Sequence, residues 1–232
     1  MGAGLIAIDA SATRQPQPLP ASQWTFPDPR SANAFGLVAR GGDFEPATLL
    51  DAYRNGMFPW PHGEEDHLWF SPELRAVIPA GRLHISRRLR RTLLQGRFTA
   101  SIDREFEVVM SGCANREEGT WITPAYQDGF RRLHELGWAH SIEVWTRDGV
   151  LAGGLYGLAI GGVFFAESMF HHVTDASKAA MVALLQRVES RGLLLVDVQM
   201  PTPHLERMGA LSIPRDHYLA SLPRALNLNV LF

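Results

Sequence analysis

The sequence predicts an α+β protein whose larger part is a mixed sheet flanked by helices. Three observations carry this. Gly153 to Phe170, GGLYGLAIGGVFFAESMF, reads as two strands joined at Ile160-Gly161-Gly162-Val163, since glycine accepts the positive φ of a tight hairpin turn. A long helix follows from Thr174 or Asp175 to Arg191, with Ala176, Ala179, Ala180, Ala183 and Leu184 on one side and Gly192 at its end. Leu193 to Met200 is then a continuous apolar strand, interrupted only by Asp197 and Gln199. A helix of that length between two hydrophobic strands is a βαβ crossover, whereas the hairpin is antiparallel, so the sheet is mixed.

Taken in order, residues 1–23 are rich in Pro, Ser, Gln and Ala and read as a loosely held extension. Order is expected from Trp24. After the turn Gly41-Gly42-Asp43, Pro46 opens a helix with Leu49, Leu50 and Tyr53 on one face, closed by Gly56. Met57-Phe58-Pro59-Trp60-Pro61 and Leu68-Trp69-Phe70-Ser71-Pro72 read as aromatic loops, too rich in proline for helix or strand. Arg75 to Pro79 is a strand. Ser86 caps a basic helix that ends at Gly96, and Asp103 is expected to cap another with Phe106, Val109 and Met110 inward. Glu117-Glu118-Gly119-Thr120-Trp121-Ile122 is a polar loop. Thr123-Pro124 starts a helix carrying Tyr126, Phe130 and Leu133, which Gly137 stops. Ser141 to Thr146 is a strand that Asp148-Gly149 turns into the hairpin. Short helices are expected near Pro203 and Pro214.

With 232 residues, 46% of them hydrophobic, the chain can bury a substantial core in one large domain or two small ones. Its single cysteine, Cys113, excludes an internal disulfide and a cysteine-based metal site, and fits a reducing compartment. The first twenty residues have no basic n-region, and no apolar run approaches the ~20 residues of a membrane span. A cytoplasmic protein is the expectation. Net charge is -2, but its distribution is uneven. No acid lies between Glu73 and Asp103, while Arg75, Arg82, Arg87, Arg88, Arg90, Arg91, Arg97 and His84 do. Such a run is either a solvated face or a phosphate-binding patch, and the missing acids favour the patch.

Glu167 is the one charge in an aromatic, apolar strand. It must be paired, hydrogen-bonded or turned to a cavity, because burying a bare carboxylate is too costly. It reads either as the polar floor of an apolar pocket or as a charge on a solvent face. Asp197 and Gln199, two apart on a strand, share a face by alternation. They either satisfy one another and a loop, or they meet a ligand at the carboxyl end of a buried strand. Nucleophile elbows, Walker loops and dinucleotide fingerprints are absent from the sequence, and His171-His172 point opposite ways on a strand.

Several segments recur in this order in one family. They are Phe58-Pro59-Trp60, Leu68-Trp69-Phe70-Ser71-Pro72, Leu83-His84-Ile85-Ser86, Glu117-Glu118-Gly119-Thr120-Trp121-Ile122, Leu133-His134-Glu135-Leu136-Gly137, His140-Ser141-Ile142-Glu143-Val144-Trp145, Glu167-Ser168-Met169-Phe170, Ala176-Ser177-Lys178 and Asp197-x-Gln199. From about Phe26 to Tyr218 the chain resembles the bacterial leucyl/phenylalanyl-tRNA–protein transferases. The resemblance implies a small amino-terminal α/β domain, here residues 24–73, and an acyltransferase domain of GNAT type, residues 74–232, after the 1–23 extension. It implies transfer of Leu or Phe from charged tRNA to the α-amino group of proteins beginning with Arg or Lys, marking them for degradation. No cofactor or metal is implied, and a monomer is expected.

By matched motif, Tyr53, Trp60, Trp121, Phe130, Leu155, Met169 and Leu184 should surround the aminoacyl-adenosine end with Glu167, and Asp197 and Gln199 should stand at the reaction centre. Arg82, Arg87, Arg88, Arg90, Arg91 and Arg97 should hold the tRNA. The family often has Tyr at the place of Phe130, Met at that of Leu155 and Phe at that of Leu184, so this chain brings no hydroxyl at position 130. Two rivals remain. An acetyl-CoA-dependent acyltransferase would need a Gly-rich pyrophosphate loop, where this chain has His171-His172-Val173-Thr174-Asp175. A non-catalytic RNA-binding module would leave Glu167, Asp197 and Gln199 without a task.

Overall fold

The computed structural model describes residues 4–61, 63, 66–115 and 119–232. Glu117 and Glu118 of the expected polar loop lie outside them. The hairpin anticipated at Gly161 is the centre of the sheet. β8 (Leu151–Ile160) and β9 (Val163–His171) pair antiparallel through Ile160↔Val163, and Gly161 turns with φ 53°. β7 (Ala139–Thr146) flanks β8, and β6 (Phe98–Ile102) flanks β7. On the other side β10 (Leu195–Gln199) lies parallel to β9, followed by β5 (Leu74–Pro79) and β11 (Leu211–Pro214). The edge strand β1 (Ile8–Asp9) runs parallel to β6, giving an eight-stranded mixed sheet in the order β1-β6-β7-β8-β9-β10-β5-β11. The α+β expectation and the βαβ crossover both hold.

α5 (Ala176–Arg191) makes that crossover. Its alanines let it lie close on the sheet, with Ala176, Ala179, Ala180, Ala183 and Leu184 all buried. Gly192, at φ 77°, closes it with its N–H on Glu189 O. One apolar core lies between this face of the sheet, α5, α2 (Arg87–Leu94) and α6 (Pro203–Arg207). A second core covers the other face. It joins α1 (Pro46–Arg54), α3 (Phe106–Ala114), α4 (Pro124–Glu135) and α7 (Arg215–Leu226) to a small sheet. Cys113 is buried there. Among the described residues no helix is long and apolar enough to cross a membrane.

The structure departs from the sequence reading at five places. The aromatic loops are strands: β3 (Phe58–Pro59) and β4 (Leu68–Phe70) pair with β2 (Leu37–Arg40) in a three-stranded sheet. Pro59 is tolerated because β3 is an edge strand. The described part of the expected extension, residues 4–23, is fastened, not loose. Ile6 is buried, Leu5 N–H bonds Gln186, β1 extends the large sheet and Gln17 N–H bonds Leu136 O. Asp103 does not cap α3. It takes φ 61° and its carboxylate accepts from Ser141 N (3.0 Å) and faces His140 Nδ1 (2.7 Å), while Glu105 begins the helix. Asp175 begins α5 in a left-handed conformation without a side-chain cap bond, its carboxylate holding Lys178 Nζ at 2.7 Å instead. The helix after Pro214 is not short but runs from Arg215 to Leu226.

Candidate active site

The site opens where two parallel strands part. β9 and β10 pair only through Val163↔Leu195, Phe164↔Val196 and Phe165↔Asp197. Beyond that, β9 continues beside β8 alone, and β10 ends at Gln199. Two irregularities sit at the fork. The β8/β9 register steps from Tyr156↔Ser168 to Gly157↔Ala166, leaving Glu167 as the extra residue of a bulge. The β10/β5 register steps from Asp197↔Val77 to Gln199↔Ala76, leaving out Val198. Bulges re-aim side chains, and this pair turns Glu167 and Gln199 toward each other. Gln199 also holds φ 56°, a conformation that costs a non-glycine residue roughly 1–3 kcal/mol.

Glu167 is indeed at the floor of a pocket. Its carboxylate accepts from Tyr126 Oη at 2.8 Å and from Gln199 Nε2 at 3.0 Å. Above it is a cavity of about 170 Å³, walled by Phe58 of the small sheet and Trp60 just after it, Trp121 before α4, Val198 and Met200 around the end of β10, and Leu205 of α6. Burial pushes the Glu167 carboxyl up to about 7. The hydroxyls of Tyr53 and Tyr126 and the charge of Arg75 favour its ionised form, and Asp197 opposes it. A wider groove of about 700 Å³, between residues 20–30, α1 and α7, is lined by the exposed charges of Asp28, Arg30 and Arg54 and reaches none of these groups.

Asp197 is fully enclosed. Arg75 Nε lies 2.9 and 3.0 Å from its two oxygens, Tyr218 Oη donates at 2.5 Å and Gln199 N donates at 2.9 Å. The Arg75 guanidinium lies between the rings of Phe58 (4.8 Å) and Tyr218 (4.7 Å), and its Nη1 reaches Gly56 O at 3.2 Å. Burial works against the arginine's charge, but Asp197 holds its pKa above the ordinary value. Asp197 thus steers Gln199 through the main chain and not through its amide.

The structure brings together Glu167, Asp197, Gln199, Trp60 and Trp121. Tyr53 and Phe130 back the site from the core: Tyr53 packs on Phe165 at 5.1 Å, and Phe130 stacks on Tyr126 at 4.5 Å. Leu155, Met169 and Leu184 do not line the cavity. They belong to the core under α5, where Leu155 and Leu184 are sealed and Met169 is half-buried opposite Leu155. Arg82, Arg87, Arg88, Arg90, Arg91 and Arg97 are all exposed, and Arg88 Nε lies 3.9 Å from Asp175 at the start of α5. Arg75 must be removed from the basic stretch, since it is buried and paired. Sequence reasoning missed Arg75, Tyr126 and Tyr218 as site residues. Arg75 carried the same signal as Glu167, one charge in an apolar strand; the two tyrosines carried none. Tyr126 lies one helical turn before Phe130, and its hydroxyl donates to Glu167.

Known proteins resemble this chain over most of its length. Residues 77–223 match the model of the leucyl/phenylalanyl-tRNA protein transferase family, and residues 42–73 match its N-terminal domain. The leucyl/phenylalanyl-tRNA–protein transferase of Anaeromyxobacter sp. (strain K) is 50% identical over 205 residues, 87% of this chain and 88% of that one. Its counterpart in Azotobacter vinelandii is 48% identical over 196 residues, 83% and 86% of the two chains. Among solved structures, L-PGS from Bacillus licheniformis superposes with a TM-score of 0.38 at 14% identity, over 56% of this chain and 46% of that one. The chain belongs to the leucyl/phenylalanyl-tRNA protein transferase family.

Proposed function

We propose that this enzyme transfers leucine or phenylalanine from aminoacyl-tRNA to the α-amino group of proteins beginning with Arg or Lys, forming a peptide bond that marks them for degradation. It acts as a monomer in the cytoplasm. The observation that carries this reading is the chain Tyr126–Glu167–Gln199 at the floor of an apolar cavity between Trp60 and Trp121. An aminoacyl ester is already activated, so no covalent nucleophile is required. The protein must place an amine against the ester and manage one proton. Trp60 and Trp121 offer flat faces to the terminal adenosine. Gln199, whose Nε2 is engaged by Glu167, keeps its Oε1 to accept from the incoming amine. Asp197, which already meets three donors, holds Gln199 in place. Tyr53 and Phe130 support these groups from behind.

The exposed arginines of α2 and its flanks hold the tRNA phosphates. Arg88, beside the β9–α5 junction, brings this helix to the end of the sheet where β9 and β10 part. Reversing Arg88, Arg90 and Arg91 to Glu is expected to raise KM for charged tRNA at least tenfold and to flatten its dependence on salt. An unchanged KM and salt slope removes the helix from donor binding.

Radiolabelled Leu-tRNA incubated with an Arg-initiated peptide, with and without acetyl-CoA, tests the assignment. Label is expected in the peptide whether or not acetyl-CoA is added. Acetylation of the peptide, or binding of tRNA without transfer, overturns it.

A further inference from the structure

Transfer of an acyl group to an amine leaves a proton to be moved, and the buried carboxylates differ in their fitness for it. Asp197 has no solvent exposure, and its oxygens meet Arg75, Tyr218 and the Gln199 N–H. It has no open approach from the cavity. Glu167 lines the cavity, and its carboxylate, which accepts from Tyr126 Oη and Gln199 Nε2 and is also favoured by the Tyr53 hydroxyl, still has acceptor capacity among its roughly four lone-pair sites. It also sits at the bulge that turns it toward Gln199, the residue whose amide oxygen faces the incoming amine.

Resting on the transferase reading, we propose that Glu167 carries the proton of the reaction, and that Tyr126 is the positioning residue that holds its carboxylate in the ionised, accepting state. The neutral amine nitrogen attacks the ester carbonyl and the N–C bond forms. Glu167 takes a proton from that nitrogen. The bond from the carbonyl carbon to the ribose oxygen breaks, and Glu167 returns the proton to that oxygen, ending ionised as it began. The charged and titratable groups around Glu167 are Tyr53 from α1, Tyr126 from α4, Asp197 from β10 and Arg75 from β5. Burial pushes both tyrosines well above their ordinary range, and Arg75 is held charged, so none of them accepts a proton near neutral pH.

The test is the pH dependence, from about 5.5 to 9, of single-turnover Leu transfer from Leu-tRNA to an Arg-initiated peptide, for wild type, Glu167→Gln and Tyr126→Phe. The wild-type rate is expected to rise through a step near 7, below the ~8 of a free α-amine. Glu167→Gln is expected to lose this step and on the order of a hundredfold in rate, with KM for charged tRNA changed by about twofold or less. Tyr126→Phe removes a hydrogen bond that favours the carboxylate, so its step should move to higher pH while its plateau approaches wild type. A structural role for the tyrosine would lower the rate at every pH and leave the step in place. A wild-type profile set by the amine alone, a Glu167→Gln enzyme with wild-type rate, or an unmoved step in Tyr126→Phe overturns the proposal. Should Glu167→Gln fail to fold, the Tyr126→Phe shift decides. A wild-type protein that transfers nothing defeats the transferase reading itself.

Discussion

Arg75→Ala is expected to destabilise the protein by about 3–5 kcal/mol and to abolish transfer. The reason is desolvation. Arg75 and Asp197 are both buried, and removing the arginine leaves a carboxylate with only Tyr218 Oη and the Gln199 N–H for partners. The carboxylate then protonates or draws in water, and its hold on the strained Gln199 main chain loosens. Urea denaturation and the transfer assay measure the two effects. The paired replacement Arg75→Met with Asp197→Leu separates them. It removes both charges, so stability should recover to within about 1–2 kcal/mol of wild type, because apolar replacements of buried ion pairs are often neutral. Activity should stay lost, since nothing then orients Gln199. A single Arg75→Ala variant within ~1 kcal/mol of wild type would show that the pair is solvated.

Glu167→Gln is expected to stabilise the protein at pH 8 by about 2–3 kcal/mol, or several degrees in Tm. The sign follows from linkage. The folded state raises this carboxyl from an ordinary value of 4.5 to about 7. Between those values the unfolded chain releases the proton that the folded protein keeps. Wild-type stability therefore falls as pH rises from about 4.5 to about 7, and above 7 the penalty is complete. Glutamine carries no charge and escapes it. Near pH 4 the two proteins should unfold at nearly the same temperature. A Tm difference that does not change between pH 4 and pH 8 would mean that Glu167 titrates normally. An enzyme that keeps such a carboxylate at its pocket floor trades stability for a group able to change charge near neutrality.

Much of this was legible in the chain. The hairpin at Gly161-Gly162, the alanine-rich crossover helix and the apolar strand ending in Asp197 and Gln199 follow from periodicity, propensity and turn chemistry, all of which are local. The rule that a lone charge in an apolar strand needs a partner pointed to Glu167, and applied to Arg75 it would have found the other half of the buried pair. The strands around Phe58 and Trp69 were not legible, because two- and three-residue strands have no periodicity of their own and exist only when β2 pairs with them. The fastening of residues 4–23 was equally hidden, for its contacts with β6, Leu136 and Gln186 are distant in sequence.

The sequence by itself determined which residue types had to find partners: Glu167, Asp197 and Gln199 in apolar strands, and a run of arginines with no acid among them. Only the tertiary structure decided what those partners are. Side-chain alternation sets directions along a regular strand, but the bulges at Glu167 and Val198 and the left-handed Gln199 break it. Whether a strand bulges depends on how its neighbours' registers meet. Tyr126 and Tyr218, on helices far apart in sequence, become part of the site because the packing of α4 and α7 on one face of the sheet brings their hydroxyls within hydrogen-bonding distance of the two carboxylates.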